Sequence, residues 1–257
     1  MSNLLVVDVG NTTTRLGTWE EGRLTSVRFT RSADLRSVAD VDAFAQALAE
    51  EAALDLDATS VVVCSVVPAA TVLWLDWGQR TGPEPFLITG RSDTPLQNRY
   101  HSPEQLGPDR LAAAVAAAAR LGTPVIVVSL GTATVVDAVS PEGRFLGGAI
   151  AAGVETGLEA LAERTAALPR VALAAPERPF GGDTQECLRV GAVLGTAALV
   201  EGLAARLQRA VAEGAPVALT GGNAELVSPH LLIEHQVFPD LVLEGAALIW
   251  EHNAGEG

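Results

Sequence analysis

Lysine is absent from this chain of 257 residues, and all 17 of its basic residues are arginine. A Walker A phosphate loop is therefore impossible, because that loop needs a lysine to contact the β- and γ-phosphates. Acidic residues number 31, which gives a formal net charge of −14. So acidic a chain argues against binding nucleic acid or an anionic membrane by bulk electrostatics. A nucleotide ligand would have to be held in another way.

Cysteines, histidines and long apolar runs are also scarce. Cys64 and Cys187 are the only cysteines, which excludes a disulfide framework and fits a reducing compartment. The four histidines show no metal-ligand spacing. The N-terminus lacks the pattern of a signal peptide, and we find no stretch of about 18 apolar residues that would predict a membrane span. We therefore expect a soluble, cytoplasmic protein with no nucleic-acid or membrane partner.

The composition is that of a globular protein, with 48% hydrophobic and 19% charged residues. Apolar runs and turn residues predict alternating strands and helices, which is typical of an α/β protein with a mainly parallel sheet. The predicted strands are residues 3–9, 22–30, 60–68, 84–88, 124–130, 134–140, 144–150 and 216–222. The predicted helices are residues 38–53, 153–166 and 184–213, with a further helix after the loop at 105–110.

One strand and its following turn occur twice. With an offset of 121, LLVVDVGNTTT (4–14) matches VIVVSLGTATV (125–135), and Asp8 is replaced by Ser129. The repeat predicts two similar domains, residues 1–112 and 113–257, that face each other. Chance similarity between two buried strands is the alternative.

The turn DVGNTTTR (8–15) combines the features of a phosphate site. Gly10 permits a tight turn, and the small residues after it offer backbone N–H groups and hydroxyls to phosphate oxygens. Asp8 at the strand end suits Mg²⁺ bound through water. A plain β-hairpin with a threonine-rich turn is the alternative. GTAT (131–134) is a similar turn, and TGG (220–222) would let a nucleotide approach the backbone closely.

Taken together, these turns resemble those of the acetate kinase, sugar kinase, Hsp70 and actin superfamily. More closely, the chain resembles the type III pantothenate kinase family along almost its whole length. The segments that carry the resemblance are DVGNTTTR (8–15), YHSPEQLGPDR (100–110), GTATVVD (131–137), FLGGAIAAG (145–153), GGDTQECLRVG (181–191) and LVLEGAA (241–247). The resemblance implies two ribonuclease H-like domains with a nucleotide cleft between them, and phosphorylation of pantothenate by ATP as the first step of coenzyme A biosynthesis.

The segment YHSPEQLGPDR leads into an alanine-rich predicted helix. Asp109 falls near the helix start, where the helix dipole stabilises a carboxylate. Read from the residues alone, an N-capping aspartate followed by a solvated arginine would explain the pair. The resemblance implies instead that Asp109 is the general base for the pantothenate hydroxyl. It assigns the binding of pantothenate to Tyr100, Gly107, Pro108, Asp109 and Arg110.

The resemblance also implies the remaining site residues and the partners. ATP would be bound by Asp8, Val9, Gly10, Asn11, Thr12, Thr13, Thr14, Arg15 and Thr132, together with Mg²⁺. Members of the family are homodimers with the substrate site at the subunit interface, so Thr184 would reach the pantothenate of a neighbouring subunit. By position alone, Thr184 is interpreted as a helix cap.

The chain departs from the family pattern in the second turn. The family usually has an aspartate at the position of Ser129, which helps to bind an activating K⁺ or NH₄⁺ ion, and a threonine at the position of Val135. We hypothesise that the cation requirement is weakened or absent here. Two other functions remain open: a non-catalytic relative, such as the proteins described as Bvg accessory factors, and another superfamily member such as a sugar kinase or phosphatase. Retention of Asp8, Asp109, Arg110 and Thr184 argues against a non-catalytic protein.

Overall fold

The computed structural model describes residues 3–255 and divides the chain into two compact units. The first comprises the chain up to Ala116 and the segment from Leu241 onward, and the second runs from Ala117 to Asp240. The predicted division after residue 112 lies close to the first of these boundaries. The C-terminal segment differs from the prediction, because it belongs to the first unit.

The first unit contains a five-stranded sheet in the order β3-β2-β1-β4-β5. β1, β2 and β3 pair antiparallel, whereas β4 and β5 run parallel to β1. Its strands are β1 (Leu4–Val9), β2 (Thr13–Glu20), β3 (Arg23–Arg31), β4 (Ser60–Ser65) and β5 (Phe86–Ile88), followed by the two-residue strand β6 (Gln97–Asn98). Its helices are α1 (Val38–Ala52), α2 (Pro68–Thr81) and α7 (Leu241–Ala254), and α3 (Pro108–Leu121) begins in it.

Helices cover the sheet of the first unit. The apolar sides of α1 and α2 pack with alternate residues of the central strands, and Trp74 and Trp77 of α2 are almost fully buried there. α7 contacts β1 and β4. It lies so close to α3 that a Cβ atom at Gly245 would overlap the backbone of Ala112. We did not predict α2 and α7 from the sequence, although the buried residues of α2 (Ala70, Trp74, Trp77 and Gly78) follow helical spacing.

Five strands of the second unit repeat this topology, in the order β11-β10-β7-β8-β9. β7, β8 and β9 pair antiparallel, and β10 and β11 run parallel to β7. The strands are β7 (Val125–Leu130), β8 (Ala133–Val139), β9 (Arg144–Ala152), β10 (Val217–Thr220) and β11 (Gln236–Val237), and the helices are α4 (Val154–Arg164), α5 (Thr184–Val211) and α6 (Ala224–Val227). The shared topology confirms the predicted α/β fold with two similar parts and argues against chance similarity. The expected mainly parallel sheet is wrong, because each unit has two antiparallel and two parallel pairings among these strands.

α5 is the main core helix of the second unit. Its residues Leu188, Val193, Ala197, Val200 and Ala204 are buried, and all but Leu188 belong to the hydrophobic cluster of this unit. Among residues 3–255, it is the one helix long and apolar enough to span a membrane by length and composition. The expectation that no apolar stretch of this length exists is therefore wrong. One side of α5 packs against β7 and β8, and length and composition alone are weak evidence for a membrane span.

Candidate active site

Asp8 lies at the carboxyl end of β1, between two other strands. In the antiparallel pairing with β2 its neighbour is Arg15, and in the parallel pairing with β4 its neighbour is Cys64. Directly paired residues point to the same face of a sheet. The fold therefore gives Asp8 a cationic neighbour on one side and a thiol on the other.

The turn after Asp8 is the tip of the β1–β2 hairpin. The Gly10 N–H donates a hydrogen bond to the Thr13 carbonyl oxygen at 3.0 Å, while Asn11 and Thr12 are exposed. The threonine-rich hairpin that the sequence left open as an alternative is thus present. It is compatible with phosphate binding, because Asn11 and Thr12 at its tip remain exposed.

Burial and a second carboxylate change the acidity of Asp8. Burial first, and then the negative charge of Asp109, raise the pKa of Asp8 to about 7, while Arg15 lowers it. The same surroundings, with burial again the largest cause, raise the pKa of the Cys64 thiol well above its usual value. Cys64 is therefore a neutral thiol and a poor nucleophile. Two carboxylates separated by about 100 residues in sequence thus act on the same small region.

Asp109 reaches this region because α3 starts beside the end of β4. The Val66 N–H donates to the Val9 carbonyl oxygen at 3.0 Å, which extends the β1–β4 pairing by one step. A Cβ atom at Gly107 would lie 3.8 Å from Val66 Cγ1 and would overlap the Asp109 carboxylate. The absence of a side chain at Gly107 leaves room for the Asp109 carboxylate, which folds back over it. The prediction that Asp109 lies in the first turn of a helix is confirmed.

Tyr100 and Arg110 form a pair. The Arg110 Nη1 atom lies 3.4 Å from the Tyr100 hydroxyl oxygen, and the guanidinium carbon lies 5.4 Å from the centre of the ring. Only 8% of Arg110 is exposed, so the alternative of a solvated arginine is wrong. A cation held against an aromatic ring is restricted in orientation and suits recognition of a carboxylate.

Asn98 supports this pair, although no sequence motif pointed to it. Its side-chain amide donates to the Gly90 carbonyl oxygen at 2.7 Å, and its Oδ1 atom accepts the Tyr100 N–H at 2.9 Å. A Cβ atom at Gly90 would overlap the carbonyl oxygens of Pro103 and Leu106. The loop that carries Tyr100 is therefore held at Gly90 through an amide and a close backbone contact.

The second turn differs from the first in length and in charge. Val9 pairs with Thr14 in the first hairpin, whereas Leu130 pairs with Thr134 in the second, so the first turn is one residue longer. The offset therefore changes from 121 in the first strand to 120 in the second. The counterpart of the Asp8–Arg15 pair is Ser129 beside Val135, and the second hairpin has lost both charges.

Thr132 and the TGG segment lie at the end of the sheet in the second unit. Thr132 is exposed, and its carbonyl oxygen accepts hydrogen bonds from the Gly153 N–H at 3.1 Å and the Thr156 hydroxyl at 2.8 Å. Gly221 has a φ of +98° and lies against the backbone of Leu130. The close neighbour of Gly221 is thus the protein's own chain, and the approach of a nucleotide to TGG stays a prediction.

Thr184 is exposed at the start of α5, but it is not the helix cap. Asp183 is the N-cap, and its Oδ1 atom accepts the Glu186 N–H at 2.8 Å. Glu186 in turn accepts the Gly182 N–H at 2.7 Å, which joins the residue before the cap to the first turn. Aspartate takes this role because its carboxylate sits one residue earlier, where the free N–H groups of the first turn point. Thr184 is left with its side chain in the first turn of the helix.

The residues around Asp8 fit Mg²⁺, whereas Ser129 itself supplies no charge to a cation site. Mg²⁺ is usually held by one or two carboxylates together with substrate phosphates and water. Asp8 and Asp109 match that pattern, and residues 3–255 contain no cluster of three or more metal-binding side chains that would form a cage. Ser129 offers only a neutral hydroxyl and pairs with the apolar Val135.

The raised pKa of Asp8 predicts that its charge destabilises the fold when Mg²⁺ is absent. Below pH 3.8 the carboxyl is protonated in both states. As the pH rises towards 7, the unfolded chain loses this proton first, and the folded state loses stability. Asp8→Asn removes the penalty, so the variant should gain stability over the wild type between pH 5 and pH 8, by about 2 kcal/mol once the partial exposure of Asp8 is allowed for.

Urea unfolding of both proteins at pH 5 and pH 8 in EDTA measures this difference. Asp40→Asn is the matched control, since hydrogen bonds, chiefly from Ser37, lower the pKa of Asp40 and the expected trend with pH is opposite. A difference between Asp8→Asn and wild type that does not change with pH would contradict the prediction.

Comparisons with known proteins agree with these features. Residues 4–206 match the model of the type III pantothenate kinase family. A type III pantothenate kinase from Thermomicrobium roseum is 36% identical over 250 residues, covering 96% of each chain. Among solved structures, a Baf family transcriptional activator from Campylobacter jejuni matches with a TM-score of 0.62 at 18% identity, covering 98% of this chain and 99% of that one.

A second solved structure is the activator of 2-hydroxyisocaproyl-CoA dehydratase from Clostridium difficile with bound ADPNP. It matches with a TM-score of 0.60 at 13% identity, covering 99% of this chain and 97% of that one. Both structural matches are at low identity and support the fold alone. The family model and the extent of the sequence match carry the assignment: the chain belongs to the type III pantothenate kinase family, whose members are kinases that phosphorylate pantothenate in coenzyme A biosynthesis.

Proposed function

We propose that this chain transfers the γ-phosphoryl group of ATP to the primary hydroxyl of pantothenate, with Asp109 as the general base. The observation that carries the mechanism is the proximity of Asp109 to Asp8, two carboxylates from separate motifs whose charges interact. Phosphoryl transfer needs positioning, a base and stabilisation of negative charge. The first unit supplies residues for each of these tasks.

Asp109 takes the proton as the substrate oxygen forms its bond to the γ-phosphorus and the bond to ADP breaks. The start of α3 stabilises its carboxylate as an anion, and Gly107 leaves room for it. Arg110, held by Tyr100, binds the carboxylate of pantothenate, and Gly107 and Pro108 line the substrate. With its hydroxyl directed at Asp109, pantothenate is held for in-line attack.

Asp8 and the turn that follows it hold the phosphates of ATP. Their ligands are the residues from Asp8 to Arg15, and Thr132 of the second unit stays a predicted ATP ligand. Mg²⁺, when bound through water at Asp8, neutralises phosphate charge and stabilises the charge that develops during transfer. The buried Asp8 needs such a counter-charge, since its pKa lies near 7 without one. This arrangement replaces the lysine that the chain lacks.

We also propose a homodimer in the cytoplasm, formed through the exposed side of α5. Only 28% of the most apolar stretch of α5 is buried. Beside it lies a groove of about 390 Å³, lined among others by Val154, Gly157, Leu161, Leu188, Gly191 and Gly195. A second copy of α5 would cover this apolar groove and bring Thr184 to a neighbouring subunit. The cytoplasmic location is supported by two free cysteines.

The variant Asp109→Asn tests whether Asp109 is the general base. Turnover should fall by about 10²–10⁴-fold, because the amide cannot accept the proton, while the KM for ATP should stay near that of the wild type. Release of ADP is measured with Mg²⁺–ATP, with and without pantothenate. Asp40→Asn, at the first turn of α1, is the matched control and should keep full activity. If Asp109→Asn retained wild-type turnover, the base would lie elsewhere.

The same assay decides between a kinase and a non-catalytic relative. Folded wild-type protein that releases no ADP in response to pantothenate in any buffer would support a binding protein on a kinase fold.

The neutral Ser129 predicts that turnover does not depend on the monovalent cation. We expect equal rates in sodium-only, K⁺ and NH₄⁺ buffers for the wild type. Ser129→Asp restores the carboxylate, and its rate should rise with K⁺ or NH₄⁺. A steep rise with K⁺ in the wild type, lost in Ser129→Ala, would show that the serine itself supports a cation site.

Gly195→Glu tests the dimer. No atom lies within 4 Å of a Cβ at Gly195, and glutamate favours a helix over glycine by about 0.5–1 kcal/mol, so the single chain should stay folded. A charge in the groove should prevent association, and the KM for pantothenate should rise if Thr184 serves a neighbouring subunit. Light scattering and thermal unfolding are the measurements.

Ala69→Glu, which adds the same charge on the exposed start of α2, is the control and should leave the oligomeric state unchanged. A Gly195→Glu protein with the same mass in solution as the wild type would contradict the proposed interface.

A further inference from the structure

We propose that Ser32 is a positioning residue that fixes the phosphate turn of the first unit for ATP. Ser32 lies outside the DVGNTTTR motif, in a short 3₁₀ helix directly after β3. The inference deepens the proposed function, on which it rests, by naming a residue that determines how the turn presents its N–H groups.

Three hydrogen bonds join Ser32 to the turn. Its N–H donates to the Thr12 carbonyl oxygen at 2.9 Å, and its hydroxyl donates to the Gly10 carbonyl oxygen at 2.6 Å. The hydroxyl also lies 2.9 Å from the Thr14 hydroxyl. Ser32 is 9% exposed and Thr14 is fully buried, so water does not replace these bonds easily. One residue thus holds three residues of the turn.

These bonds determine the direction of the N–H groups in the turn. In a planar trans peptide the carbonyl and the following N–H point in opposite directions. When Ser32 holds the carbonyl oxygens of Gly10 and Thr12, the N–H groups of Asn11 and Thr13 are directed away from Ser32. Donors that are oriented before the ligand arrives bind developing negative charge without a cost of reorganisation.

The second unit serves as an internal comparison. Gly153 follows β9 as Ser32 follows β3, and its N–H donates to the Thr132 carbonyl oxygen at 3.1 Å. It has no hydroxyl, and a Cβ atom there would overlap the carbonyl oxygens of Gly131 and Thr132. The hydroxyl of Thr134, the counterpart of Thr14, is buried without a hydrogen-bond partner in residues 3–255.

The hydroxyl bridge is therefore not a general requirement of this fold. In the turn that follows Asp8, one hydroxyl joins the Gly10 carbonyl oxygen to the Thr14 hydroxyl. In the turn that follows Ser129, the Thr156 hydroxyl bonds only to the Thr132 carbonyl oxygen, and no such bridge reaches Thr134 among residues 3–255. A bridge retained only beside the carboxylate is explained by a task specific to that turn. Orientation of the N–H groups that donate hydrogen bonds to the phosphates is such a task.

Ser32→Ala tests the assignment. Loss of a buried hydrogen bond that leaves its partners unsatisfied corresponds to roughly a 10–100-fold effect, which we expect as a rise in the KM for ATP. The KM for pantothenate should not change, and Ser32→Thr, which keeps the hydroxyl, should restore most of the affinity for ATP. Ser26→Ala, a half-buried serine of β3, is the matched control.

Calorimetric binding of ADP and of a non-hydrolysable ATP analogue is measured on the same proteins. It separates this inference from the proposed reaction, because a wild type without turnover can still bind nucleotide more tightly than Ser32→Ala. Equal nucleotide affinity in the two folded proteins would overturn the assignment. Equal rises in the KM values for ATP and pantothenate, in step with lower thermal stability, would also overturn it, since they indicate a structural role only.

Discussion

The pairing of β1 with β4 is the interaction on which the candidate site depends. It extends as far as the Val66 N–H and the Val9 carbonyl oxygen, and it places the loop before α3 beside the end of β1. Asp109 approaches Asp8 because of this extension, although the two lie in motifs about 100 residues apart. The electrostatic cost appears in Asp8, whose pKa rises to about 7. Such a cost is tolerated where a cation and a phosphate chain bind.

The two units show how a duplicated fold divides its tasks. Both have the same order of strands and a hairpin turn at the same place. The first turn keeps the Asp8–Arg15 pair and the Ser32 bridge, whereas the second has Ser129, Val135 and Gly153. The charged pair and the serine bridge thus occur together in one unit, whereas the second turn lacks both and is held through Gly153 and Thr156. This is expected if the turn after Asp8 makes most of the contacts with the phosphates.

The proposed way of binding phosphate fits the acidic, lysine-free composition of the chain. A protein with 31 acidic residues and no lysine does not attract a nucleotide by net charge. Backbone N–H groups and small hydroxyl side chains bind phosphate through dipoles, and they do so only when the backbone is held in one orientation. Hydrogen bonds from Ser32 to the turn, and the close packing at Gly107, supply that restraint. Arg110 is the exception, a buried cation whose orientation depends on Tyr100.

Sequence by itself determined the α/β class, the duplication, the family and the main motifs, because strand periodicity, glycine turns and short functional segments are local signals. It also located Asp8, Asp109, Tyr100 and Arg110. It did not identify α2 and α7 as helices, the capping role of Asp183, or the supporting roles of Ser32 and Asn98. The two helices and the Asp183 cap are local features that we did not predict. The roles of Ser32 and Asn98 were decided only by the tertiary structure, because their side chains bond to other turns and loops of the chain. The residues around Ser32 form no pattern from which the hydrogen bond between its hydroxyl and the turn after β1 could be predicted.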